Sequence, residues 1–266
     1  MIGKSTKACK GNNNKRSEGE SRTRSWLQLA SVVLLLLNAA LCSCASMFGH
    51  NEVVLRSRDD IKSADSKATD FYITRLPLAD YHLLSKFKGL RRASLGQGAT
   101  DSKLAALAGI GCTNLIDLNM LDAPAVTDVG INALTNISSL RMIGMEGTSI
   151  TDAACVVMAT RMRLTGVNVA NCHGVTKAGM RALIASETVT NLSFSADSLS
   201  RQDALELVRS LKNGSWCAFV DTQGKLDWAA LNSEGKQRNI TVGVTPKGTM
   251  QTWGLQKRTA PPKSAE

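Results

Sequence analysis

Three histidines, His50, His82 and His173, and seven cysteines hold most of the nucleophilic and metal-ligating capacity of this chain. Zinc chemistry needs ligands paired a few residues apart, and neither HExxH nor a pair of CxxC motifs occurs. Cys42-Ser43-Cys44 is closely spaced but sits in an apolar stretch. Cys172-His173 is the one adjacent thiol–imidazole pair, the minimum for a Cys/His hydrolase. No acid is fixed nearby to orient that imidazole, so a buried cysteine followed by a loop histidine is the better reading. Gly96-Gln97-Gly98 is too short to cradle a phosphate and lacks a following GK[ST]. Asp117, Asp122 and Asp128 lack the ordered spacing of a calcium loop. Sequons occur at Asn136, Asn191, Asn213 and Asn239, two of them on predicted strands. These residues predict neither an enzyme nor a metal or cofactor site.

The elements that position them follow from an internal repeat. Apolar residues recur as Leu90-Ala93-Leu95, Leu115-Leu118-Met120, Leu140-Ile143-Met145, Leu164-Val167-Val169 and Val189-Leu192-Phe194. Cys217-Phe219 and Val242-Val244 continue the series faintly. Each second half opens on Thr100, Thr127, Thr151, Thr176 or Ser200, and apolar residues stand four and seven positions later. That spacing is one side of a helix, and Thr or Ser before it is an N-cap. Asp follows the Thr in three units, where it suits the positive end of the helix dipole. Each unit is therefore a short strand, a turn and a capped helix. Such units bury their apolar faces only by stacking. Cys155 and Cys217 fall on core positions, so buried free thiols are expected there.

The pattern L-x-x-L-x-L followed by I/V-T-D resembles the leucine-rich-repeat superfamily, with clear copies at Ala125–Ile131 and Ser149–Asp152. It is most similar to the cysteine-containing subfamily. The resemblance implies an α/β solenoid, with parallel strands on a concave face and helices on a convex one. It also implies a buried Cys or Asn after each strand that bonds neighbouring backbone. Cys172 matches, whereas Gly98, Ala123, Thr148 and Asp197 depart, so no continuous ladder of such bonds is expected.

Trp26–Cys44 is the most apolar stretch, preceded by basic and followed by small residues, which is the order of an export signal. Leu41-Cys42-Ser43-Cys44 resembles a bacterial lipobox, which would make Cys44 the lipidated N-terminus. An uncleaved membrane anchor and ordinary cleaved secretion stay open beside it. Residues 1–44 are read as signal or anchor, 45–82 as N-terminal cap, 83–245 as solenoid and 246–266 as a basic tail. Asp70–Leu78 offers the cap an extended piece, with Pro77 limiting its pairing. The net charge is +10, but residues 1–24 carry seven Lys/Arg against two Glu, and the tail four against one. The body is then close to neutral, which argues against nucleic acid as a partner.

In a solenoid the outward strand residues are the candidate binding surface. Alternation assigns Arg92, Ser94, Asp117, Asn119, Met142, Gly144, Glu146, Asn168, Asn191, Ser193 and Trp216 to that row. Trp216 is its large aromatic, a residue type enriched at binding hot spots. The expected function is a membrane-tethered extracytoplasmic scaffold, periplasmic or at the cell surface, that binds a protein or a surface polymer. A purely structural cell-envelope component is the alternative, and a Cys/His hydrolase a weaker one.

Overall fold

The structure, a computed structural model, describes residues 52–245. The apolar stretch, Cys44 and the basic tail lie outside the described residues. Among the described residues nine strands form one parallel sheet, ordered as in the sequence. They are β1 (Val53–Leu55), β2 (Asp70–Ile73), β3 (Arg92–Ser94), β4 (Asp117–Asn119), β5 (Met142–Gly144), β6 (Gly166–Asn168), β7 (Asn191–Ser195), β8 (Trp216–Val220) and β9 (Thr241–Thr245). Between them run α1 (Arg58–Ser63), a 3-10 segment (Leu78–Lys86), α2 (Asp101–Gly109), α3 (Asp128–Leu134), α4 (Asp152–Arg161), α5 (Lys177–Ala185), α6 (Arg201–Ser210) and α7 (Trp228–Gln237).

The sheet register reproduces the repeat. Ala93, Leu118, Ile143, Val167, Leu192, Cys217 and Val242 are successive partners across the ladder. All seven side chains are buried, as are Leu104, Leu107, Ile131, Leu134, Cys155, Met158, Met180 and Leu183 on the facing helices. The core is thus one continuous stack of apolar layers, the arrangement of a leucine-rich-repeat-like solenoid. The ladder also begins earlier than the legible repeat, because β1 and β2 pair in parallel ahead of β3. Pro77 stands past the end of β2 and interrupts none of its pairing. Among the described residues no helix is long and apolar enough to cross a membrane.

The helix caps are as the spacing requires. Thr100, Thr127, Thr151, Thr176 and Ser200 each accept a hydrogen bond from the first turn of their own helix. The aspartate beside the threonine does more than face the dipole. Asp101 Oδ1 accepts from Thr127 N at 2.8 Å and its Oδ2 from Thr127 Oγ1 at 2.6 Å. Asp128 holds Thr151, and Asp152 holds Thr176, with the same two distances. Each Thr-Asp pair is therefore a clamp onto the next repeat. Asp101 and Asp152 also accept from Gly130 N and Gly179 N, both at 3.0 Å. The series ends at Lys177, which turns instead to Asp203 and Glu206 of α6. Ser200 and Asp203 then form a capping box within their own helix.

Candidate functional site

Two rows of side chains leave the core on the uncovered side of the sheet. Strand pairing sets Glu52, Asp70, Arg92, Asp117, Met142, Gly166, Asn191, Trp216 and Thr241 side by side as the first row. Tyr72, Ser94, Asn119, Gly144, Asn168, Ser193 and Ala218 form the second. The rows differ in access. Arg92, Asp117, Met142, Asn191 and Trp216 are all part-exposed. Ser94, Asn168 and Ser193 were expected to face outward but are buried, at 7%, 4% and 4% exposure. Strands lie about 4.8 Å apart, so a short side chain sinks between its longer neighbours. Asn168 is in addition turned inward to its own loop, where Oδ1 accepts from Ala170 N at 3.0 Å. The reachable surface is therefore the first row, opened at one end by Tyr72 and Val54.

The charges of the first row sit at the β1–β4 end. Arg92 forms an ion pair with Asp70. Burial works against the Asp70 carboxylate, but hydrogen bonds from Arg92 and Thr69 outweigh it and hold the group below its ordinary value. Asp117, on the other side of Arg92, receives no hydrogen bond among the described residues. Its carboxyl is pushed up to about 6 by burial, with Asp70 adding to the effect and Arg92 opposing it. Glu52 is raised as well, by burial and by Asp70. One guanidinium thus faces three carboxylates and satisfies one of them. Beside Asp117 in the second row, Asn119 Oδ1 is buried without a hydrogen-bond partner. Gly144 opposite is part of the reason, because it has no side chain to offer.

Glu146 lies where the chain leaves β5. It accepts from Asn171 Nδ2 at 2.9 Å, and Asn168 Nδ2 stands 3.5 Å from its other oxygen. Burial raises its carboxyl, those two amides oppose the rise, and Asp122 adds to it. Asp122, Gly147 and Asn171 occupy equivalent turns with φ of 52°, 72° and 55°. Asp, Gly and Asn tolerate that left-handed conformation best. At Gly147 a side chain would also meet Asp122 Oδ1 at 2.7 Å. Asp70, Glu52, Tyr72 and Asn171 were not legible as parts of this face. The step from β2 to β3 is 22 residues rather than 25, so the repeat search misses its first two members.

Cys172 and His173 do not form a catalytic pair. Cys172 is buried, and its Sγ donates to Met145 O at 2.9 Å. Thr148 Oγ1 bonds the same carbonyl at 2.8 Å. These two rungs are what exists of the expected ladder, and Thr148 serves in it although it is neither Cys nor Asn. Burial raises the Cys172 thiol despite the Thr148 hydroxyl beside it, and His173 is exposed. The four cysteines among the described residues are free. Burial raises Cys155 and Cys217 as well, and takes Cys112 up to about 11. A thiolate reacts and a thiol does not. Treating the native protein with iodoacetamide at neutral pH is therefore expected to leave Cys155, Cys172 and Cys217 unmodified in a peptide mass map. Labelling of Cys172 faster than of Cys112 would contradict this.

No protein-family profile matches the chain, and no curated protein sequence does. Solved structures do match. One is a crystal structure of the Rad7 and Elc1 complex in yeast, to which the chain is similar with a TM-score of 0.48 and 13% identity, over 84% of this chain and 77% of that one.

Proposed function

We propose that this chain is a membrane-tethered, extracytoplasmic binding protein that holds a protein or surface polymer against the first row of its sheet. The observation that carries the reading is the unused polar capacity of that row. Asp117 is held part-buried without a hydrogen bond, and the buried Asn119 Oδ1 beside it has no partner. Leaving such groups unpaired costs about 1–3 kcal/mol each, which a fold has no reason to accept unless a ligand completes them. Trp216 adds a part-exposed aromatic to the same row. The tether rests on the apolar stretch before Cys44 and its likeness to a lipobox.

The test is capture of the partner by the full-length chain after crosslinking in its own cell. Trp216→Ala is expected to weaken capture about thirtyfold, the scale of a hot-spot residue, and Asp117→Ala and Asn119→Ala to weaken it as well. Val129→Ala, on the exposed side of α3, should leave it unchanged. Undiminished capture by all three variants would sink the selective face and favour a structural envelope role. Mass spectrometry of the mature N-terminus decides the tether. A diacylglyceryl group on Cys44 supports the lipoprotein form, an intact Met1 the uncleaved anchor, and an unmodified new terminus removes the tether.

A further inference from the structure

The near-neutral body conceals two opposite rims. All strands run parallel, so every loop from a helix into a strand lies on one rim of the sheet, and every loop from a strand into a helix on the other. On the strand-start rim the four consecutive loops 86–91, 110–116, 135–141 and 161–165 contain Lys86, Lys88, Arg91, Arg141, Arg161 and Arg163, and no Asp or Glu. On the opposite rim of the same repeats, loops 95–103, 120–128 and 145–152 contain Asp101, Asp122, Asp128, Glu146 and Asp152 against Lys103 alone.

Helix dipoles explain part of this, since carboxylates favour helix N-termini and cations C-termini. They do not explain all of it. Lys86 spends its ammonium on the carbonyls of Ile61, Lys62 and Ala64, and Arg141 its guanidinium on those of Ser138 and Leu140. Lys88, Arg91 and Arg163 are exposed and lie beyond the helix ends, and their side chains make no hydrogen bond or ion pair among the described residues. They are surplus to the fold. We propose that this rim rests on an anionic membrane surface, with Lys88, Arg91 and Arg163 contacting lipid phosphates.

Two observations select a membrane. The chain enters the sheet at Val53 through this same rim, only eight residues after Cys44. Eight extended residues span at most about 28 Å, so the proposed tether holds this rim close to the bilayer. Moreover, Phe87, the aromatic of these four loops, is buried. The rim therefore offers no platform for stacked bases, as single-stranded nucleic acid would need. Cations at an anionic bilayer act additively, each worth about fivefold in partitioning.

The inference rests on the tethered reading, and the two are separable with the full-length chain. Binding to pure phosphatidylcholine vesicles reports the apolar tether. The further gain on phosphatidylcholine mixed with phosphatidylglycerol reports basic surfaces. Lys88→Gln, Arg91→Gln and Arg163→Gln combined are expected to reduce that gain at least tenfold and to leave binding to the neutral vesicles unchanged. In the unsubstituted protein, amide exchange of residues 86–91 and 161–165 should slow on the anionic vesicles, while residues 120–128 stay as they are in solution. An undiminished gain in the triple variant, or slowing at residues 120–128 instead, would overturn the proposal. So would rim-dependent binding to duplex DNA tighter than to the anionic vesicles. Loss of neutral-vesicle binding with the rim-dependent gain intact would remove the tether and leave the basic rim as a lipid-binding surface.

Discussion

Gly179→Ala is expected to destabilise the protein by about 3 kcal/mol, although alanine is the better helix former by about 1 kcal/mol. A Cβ at Gly179 would overlap Asp152 Oδ1 and stand 3.0 Å from Cys155 Sγ and 3.2 Å from Asp152 Cα. Forcing in a methyl group costs roughly 1–3 kcal/mol, and here it also expels the carboxylate that holds Thr176. Asp152→Ala loses three hydrogen bonds, to Thr176 N, Thr176 Oγ1 and Gly179 N, at a similar cost of about 3 kcal/mol. The two changes should not add. Once Asp152 is alanine the obstacle facing Gly179 is gone, so the double variant should be more stable than the sum by about 1–2 kcal/mol. Urea unfolding midpoints of the four proteins measure the cycle, and strict additivity would refute the clamp. The chain holds its own comparison. Position 154, under Asp128, is Ala rather than Gly, and there the aspartate makes only its two bonds to Thr151.

Asp117→Asn is expected to stabilise the protein at pH 7 by up to about 3 kcal/mol while weakening partner capture, since each tenfold change in proton affinity corresponds to about 1.4 kcal/mol. The folded carboxyl sits at about 6, above its ordinary 3.8. A raised acid binds its proton more tightly folded than unfolded, so stability falls as pH rises from about 3.8 to about 6 and is level above that. The part-exposed position makes the total an upper bound. Asp70 and Glu52, on the same row, and Arg92 between them titrate or carry charge within reach of Asp117. The slope is therefore assigned by difference: thermal unfolding of Asp117→Asn against the unsubstituted chain should diverge above pH 6 and converge below pH 4. Equal stabilities at pH 7 would show that Asp117 ionises without cost. A gain in stability joined to a loss of binding is the signature of a charge kept for function rather than for folding.

Much of the fold was legible because its physics is local and repeated. A leucine every 25 residues has to meet its counterpart in the next unit, and a Thr before an apolar helix face has to cap it. These rules place β3 through β9 and the starts of α2 through α6 from the residues alone. They fail at β1 and β2, where the interval shortens, and at α7, whose cap is Asp227 and whose core residue is Leu231 alone of the expected pair.

The sequence by itself determined that apolar layers stack, that Thr and Ser open the helices, and that Asp117, Met142, Asn191 and Trp216 leave the core. Tertiary structure decided the rest, because those outcomes depend on what the neighbouring unit presents. Asp128 becomes a clamp only when Thr151 arrives beside it. Ser94, Asn168 and Ser193 close over only because taller side chains flank them about 4.8 Å away. Asp117 is raised because Arg92, one strand over, is already taken by Asp70. Parallel stacking also sorts an almost neutral body into one basic and one acidic rim, since it sends every helix-to-strand loop to the same side.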